Sequence, residues 1–190
     1  MPTRKSKQCK VCKTEYMPFN TMQKVCGVKC SQEWAKQQAQ KQYRREARAY
    51  REKTKDKKSL LTEAQRALNA YIRIRDHELP CISCGGEHDL NMLGGTYDAG
   101  HWHGVGPHPT LRFRLWNIHK QCKYCNNRLS GNPQNYRQGL KQRFGWAWLQ
   151  RREFEAQSAE FNHYSKDDLR RIKKLFNRKA RIYRRLFRDC

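Results

Sequence analysis

The chain is 190 residues long with a formal net charge of +24, and its 41 lysines and arginines are spread over its whole length. Such a field attracts polyanions, so DNA or another nucleic acid is the expected partner. No run approaches the roughly 18 apolar residues of a membrane-crossing helix, and the N-terminus lacks the apolar core of a secretory signal, so a cytosolic or nuclear protein is expected.

Residues 1–30 carry Cys9-x2-Cys12, a turn-rich interval with Tyr16 and Phe19, and Cys26-x3-Cys30. Paired cysteines in a chain without an export signal point to a four-thiolate zinc site rather than disulfides. So short a segment cannot fold by burial alone, so a structural Zn²⁺ would supply its folding free energy. Ser31 to Lys58 is free of Gly and Pro and holds ten Lys or Arg against four acids, which predicts a basic helical connector over 31–59 able to lie along phosphates. A second helix is expected at Thr62–Asp76, with Ala64, Leu68, Tyr71, Ile72 and the stem of Arg75 on its inner face and Pro80 stopping it.

The following region, to Asn132, is rich in turn residues (Gly85, Gly86, Gly94, Gly95, Gly100, Gly104, Gly106) and reads as short strands joined by tight turns. Helix returns around Tyr136–Gln157. A last basic amphipathic helix is expected from Ser165, with Asp168 as its capping-box partner and Leu169, Ile172, Leu175, Phe176, Ile182, Tyr183, Leu186 and Phe187 as its apolar stripe. The fold class is α+β, with a main domain core over 60–145 and a basic helical C-terminal region over 146–190. That C-terminal helix could also supply a homodimer interface.

A second zinc site is expected at Cys81, Cys84, Cys122 and Cys125, leaving Cys190 as a free thiol. Its ligand pairs enclose 37 residues, so the metal would hold the polar residues of that excursion near the second pair. Asp98, His101, His103, Asn117 and His119 fall inside it, and Asn126, Asn127 and Asn132 follow closely. Between Asp98 and Glu153 there is no acid, while Arg112, Arg114, Lys120, Lys123, Arg128, Arg137, Lys141 and Arg143 all occur. A stretch purged of acid suits phosphate contact. It also leaves Asp98 as the prime carboxylate for a divalent cation there.

The string "LPCISCG…DAGHW…P.LRF…NIHKQCKYCNNRLSGN…YR" resembles the phage lambda NinG (Rap) recombination nuclease family, a branch of the HNH (His-Me finger) endonucleases. The likeness covers about residues 60–145, and the N-terminal zinc module with its basic helix is similar to the family's layout. It implies a zinc-stabilised ββα-metal core and a nuclease of the bacterial host cytoplasm. That nuclease would cut branched DNA, Holliday junctions and displacement loops among them, alongside recombination proteins. It further implies His101 as general base, Asn117 as a brace of the loop between strands, and Asn126 with Asp98 as ligands of a catalytic Mg²⁺ or Mn²⁺. His119 is a further candidate for phosphate or metal. One departure stands out: Gly100 occupies the position where the HNH pattern has Asp. On a regular strand residues 98 and 101 face opposite ways, so a bulge at Gly100 would be needed to re-aim Asp98, and His103 is the alternative ligand. The rival reading is a non-catalytic zinc-ribbon protein that coats or anneals nucleic acid, with Trp102, Trp116, Trp146 and Trp148 stacking on bases.

Overall fold

The computed structural model describes residues 5–87, 96–160 and 163–187. Gly94, Gly95 and Cys190 lie outside them. The chain divides into two compact units, Met1–Lys55 and Asp56–Cys190.

In the first unit β1 (Lys7–Gln8) pairs antiparallel with β2 (Glu15–Tyr16). Lys13 turns the chain between them with a left-handed φ of 63°, and the Cys9 N–H donates to the Thr14 carbonyl at 2.9 Å. The Tyr16 hydroxyl closes the module by donating to the Gln23 carbonyl at 2.9 Å. Helix α1 (Val28–Thr54) then runs for 27 residues without burying any of them. Its sequence has little apolar surface to hide, so helix-forming side chains and solvent suffice.

Helix α2 (Lys57–Arg75) opens the second unit earlier than periodicity suggests. The Asp56 carboxylate accepts from the Ser59 N–H at 2.6 Å, so the cap starts a new helix at Lys57 and divides the expected connector. Leu60, Ala64, Ala67, Leu68, Tyr71 and Ile72 form its buried face. They pack on α5 (Lys166–Leu186), whose capping box of Ser165 and Asp168 is present as the sequence predicts. Tyr71 stacks on Phe176 with centroids 5.7 Å apart and meets Tyr183 edge-on at 5.4 Å. Two expectations change here. Leu175, Ile182 and Leu186 point into solvent, so the inner stripe of α5 is narrower than predicted. The apolar face proposed for a homodimer is also already covered by α2.

Strand β3 (Tyr97–His101) pairs antiparallel with β4 (Ile118–Cys122), from Tyr97 opposite Cys122 to His101 opposite Ile118. Ala99 and Ile118 join the α2–α5 core. On the other face Gly100 and His119 meet α3 (Pro133–Phe144) through Tyr136. The helical stretch expected around Tyr136–Gln157 is two helices, α3 and α4 (Trp146–Gln157), because Gly145 adopts a φ of 86° that side-chain-bearing residues resist. Ile82, Tyr136, Leu140 and Leu149 pack the wedge between them. No helix among the described residues is long and apolar enough to cross a membrane.

Candidate metal and catalytic site

Each set of four cysteines converges, with all sulfurs of a set within 4.8 Å of one another: Cys9, Cys12, Cys26 and Cys30 in the first unit, and Cys81, Cys84, Cys122 and Cys125 in the second. A tetrahedral Zn²⁺ with bonds of about 2.3 Å sets its sulfurs about 3.8 Å apart. The separations of 3.6 Å for Cys12–Cys26 and for Cys26–Cys30, and 3.9 Å for Cys84–Cys122, fit that ion. Backbone donors already address the sulfurs: the Cys122 N–H reaches Cys81 Sγ at 3.3 Å and the Cys125 N–H reaches Cys122 Sγ at 3.4 Å. Both clusters can therefore hold zinc, and the second brings the end of β4 to the turn Tyr124–Arg128.

That turn carries Asn126 and Asn127 against β3. Their amides each donate to Asp98 Oδ2 at 3.1 Å. Asp98, Asn126 and Asn127 thus form one polar cluster at the surface beside the second cysteine set, and all three are at least partly exposed. The pairing of β3 with β4 advances one residue for one through all five pairs, so no bulge re-aims Asp98. Asp98 and His101 consequently lie on opposite faces of the strand, roughly 10 Å apart along it. Gly100 has a different reason to be glycine: a Cβ there would lie 2.0 Å from Gln121 Oε1 and 2.9 Å from Gln121 Cβ. Gln121 is itself fixed, donating to Ser83 Oγ and the Gly131 carbonyl at 2.6 Å each. A carboxylate-bearing residue at position 100 has no room.

His101 is half-buried at the end of β3, and its Nε2 lies 3.0 Å from the Arg112 carbonyl oxygen. A carbonyl can only accept, so Nε2 carries the proton and a neutral ring presents an unprotonated Nδ1. Burial lowers the imidazole's basicity, the Arg112 carbonyl bond offsets part of that, and the Arg112 charge lowers it further; the net direction is down. Asn117 is fully buried and braces the loop: its Oδ1 accepts from the His103 N–H at 2.8 Å, and its Nδ2 donates to the carbonyls of His103 (3.1 Å) and Leu111 (3.2 Å).

Three candidates lie elsewhere. His119 is 3 % exposed, with Nδ1 3.0 Å from the Tyr136 hydroxyl, which in turn donates to the Gly100 carbonyl at 3.0 Å. Burial and the neighbouring Arg75 push it down to about 3. It is a neutral core histidine, buried away from the surface where phosphate or a metal would bind. Lys120 is also buried, its ammonium held by the His77 carbonyl at 2.9 Å and over the Tyr97 ring, which removes it from the phosphate-binding set. His103 lies beyond the end of β3, packed between Trp102 and His108, with its backbone N–H and carbonyl both bonded to Asn117. Arg114, Arg128, Arg137 and Lys141 are exposed, with Arg137 bound to Glu153 at 2.6 Å; Arg112 and Lys123 are half-buried.

Sequence reasoning misses the pair Arg75–Asp76. The 3 %-exposed Asp76 side chain is bound by Arg75 at 2.6 Å and accepts from the Lys120 N–H at 3.0 Å. Arg75 also reaches the carbonyls of Leu115 (3.2 Å) and Ile118 (2.8 Å), bracketing Asn117. The stripe through Arg75 at the helix end was the available signal, but only as apolar stem.

Residues 1–185 match the family model described as bacteriophage lambda NinG protein. The NinG protein of Escherichia phage 933W is 34% identical over 157 residues, 73% of this chain and 76% of that protein. Those of Salmonella phage P22 and Escherichia phage lambda are each 47% identical, over 87 and 85 residues. These two alignments cover 46% and 45% of this chain and only 40% and 39% of the relatives' lengths. No solved structure matches the chain. The match over nearly the whole sequence places it: the chain belongs to the bacteriophage lambda NinG protein family.

Proposed function

We propose that this chain is a metal-dependent endonuclease of the HNH type that cuts branched DNA during phage recombination in the host cytoplasm. The observation that carries the reading is His101, whose Nε2–H is committed to a backbone carbonyl while burial keeps the ring neutral. A neutral imidazole with a fixed tautomer is what a general base needs to take a proton from water.

Asp98 with the side-chain oxygens of Asn126 and Asn127 would hold one Mg²⁺ or Mn²⁺, the remaining positions being water. Reorienting the two amides exchanges their donating nitrogens for accepting oxygens around the same carboxylate. Such an ion would supply charge neutralisation at the phosphate and the leaving oxygen. His101 would activate the attacking water, while Asp98, Asn126 and Asn127 would hold the ion on the other face of β3. Asn117 positions the loop that carries the acceptor of His101. The net charge of +24, with Arg114, Arg128 and Lys141 exposed near this region, supplies phosphate affinity.

The test is cleavage of linear, forked and four-way DNA with Mg²⁺, Mn²⁺ or chelator, for the wild type and His101→Ala. Metal-dependent nicking near branch points that His101→Ala loses while still binding supports the proposal. Equal cutting by the variant overturns the site. Tight binding without cleavage of any DNA leaves a zinc-stabilised nucleic-acid-binding protein instead.

A further inference from the structure

A cleft of about 900 Å³ opens beside the segment that positions His101, between residues 110–116 and the end of α4 with Tyr164. Its wall is continuous with the site. Leu111, which lines it, gives its carbonyl to Asn117, and the next carbonyl, of Arg112, holds His101. The size lies within the range of small-molecule sites, about 300–1,000 Å³.

The lining has an unusual mixture for so basic a protein. Phe113, Trp116 and Tyr164 bring rings, Arg114 and Arg152 bring positive charge, and Glu155 and Glu160 bring carboxylates. Phe113 and Tyr164 meet edge-to-face at 5.0 Å, which fixes both rings. The Arg152 guanidinium is fixed too, over the rings of Trp116 (5.9 Å) and Trp148 (5.5 Å) and in an ion pair with Glu155. The two carboxylates lining the cleft oppose a phosphate there, so a purely anionic ligand is disfavoured. Rings, a hydrogen-bond acceptor and a rim arginine instead fit a nucleobase whose own phosphate stays outside, at the exposed Arg114.

From this combination, and resting on the DNA-cleavage reading above, we infer that the cleft binds the base of an unpaired nucleotide at a DNA branch point. A base inside a duplex offers the protein only its edges. A base freed from its stack can offer its face to the rings. The cleft therefore selects branched over fully paired DNA by capturing a nucleotide that only the branch releases, and its shared wall registers the scissile strand against His101.

The experiment uses the full zinc-loaded chain with Ca²⁺ in place of Mg²⁺. Fluorescence anisotropy measures binding to a fork with unpaired branch nucleotides, to the same fork with abasic sites at those nucleotides, and to the matching duplex. The wild type is expected to bind the abasic fork roughly tenfold more weakly than the intact one, the size of a single lost base stack. A 2-aminopurine placed at the branch should be quenched on binding. Trp116→Ala should lower affinity for the intact fork and erase its difference from the abasic fork, while Trp116→Phe retains it. Arg114→Ala should weaken both forks alike. Equal wild-type affinity for intact and abasic forks overturns the cleft assignment and leaves the nuclease reading standing. Failure to bind any DNA at low salt overturns both. The wild-type comparison decides even if Trp116→Ala does not fold.

Discussion

The Asp98 carboxylate and the Asn126 amide, 28 positions apart in the chain, meet at 3.1 Å because the second cysteine cluster draws the Tyr124–Arg128 turn onto β3. The contact would make the proposed divalent-ion site conditional on zinc. Asp98→Ala is expected to weaken Mn²⁺ binding by at least tenfold, read by electron paramagnetic resonance of the free ion, with both zincs retained. Stripping zinc from the second cluster should abolish the same Mn²⁺ binding, because Cys122 and Cys125 hold the turn in place. Unchanged Mn²⁺ affinity in Asp98→Ala would remove that carboxylate from the site.

For His101, the prediction is kinetic. His101→Ala should lower the cleavage rate by about 10²–10⁴-fold, the usual worth of a positioned base. Since burial lowers the basicity of the ring, it stays neutral below its ordinary value of 6.5, and the acid limb of the wild-type pH–rate profile should fall below that value. An acid limb at or above pH 7 would point to a different base.

Gly100→Ala tests why glycine occupies the strand. Its new Cβ would press on the Gln121 side chain at a distance no real contact adopts. The expected destabilisation is about 1–3 kcal/mol, the usual range for overpacking. Shortening Gln121 to Ser in the same chain should recover part of it. Denaturation midpoints of the two single variants and the double variant give the coupling, and strictly additive effects would rule out the clash.

Arg75 and Asp76 form a buried pair joining the end of α2 to β4. Burial raises the Asp76 carboxyl, but Arg75 and the Lys120 N–H more than offset this, and it ends below its ordinary value. Asp76→Ala strands the guanidinium and should cost about 3–5 kcal/mol. A change under 1 kcal/mol by urea denaturation would show that water already satisfies Arg75.

His119 supplies a pH dependence of stability. Its folded value of about 3 lies below the ordinary 6.5, so between those values the unfolded chain takes up a proton that the folded chain refuses. Stability should therefore fall as pH drops below 6.5, by roughly 1.4 kcal/mol per unit from this one group. His119→Gln should flatten that slope in denaturant titrations between pH 6.5 and 4.5. An unchanged slope would mean that carboxylates elsewhere dominate.

Local chemistry in the sequence was enough for several features. Cysteine pairs at two- and three-residue spacing mark zinc ligands because each knuckle is a short-range structure. The faces of α2 and the Ser165–Asp168 cap follow from helical period and hydrogen bonding within one turn. Tertiary structure decided which polar residues reach solvent. His119 and Lys120 read as surface groups in an acid-free stretch, yet β4 is covered on one face by α3 and on the other by the α2–α5 core. Gly100 offered room for a bulge in the strand and is instead the space that Gln121 occupies, and the apolar face of α5, read as packing on the core or on a partner, packs on α2. Periodicity records that a face must be hidden. Long-range packing determines what hides it, and so which charges and imidazoles remain for chemistry.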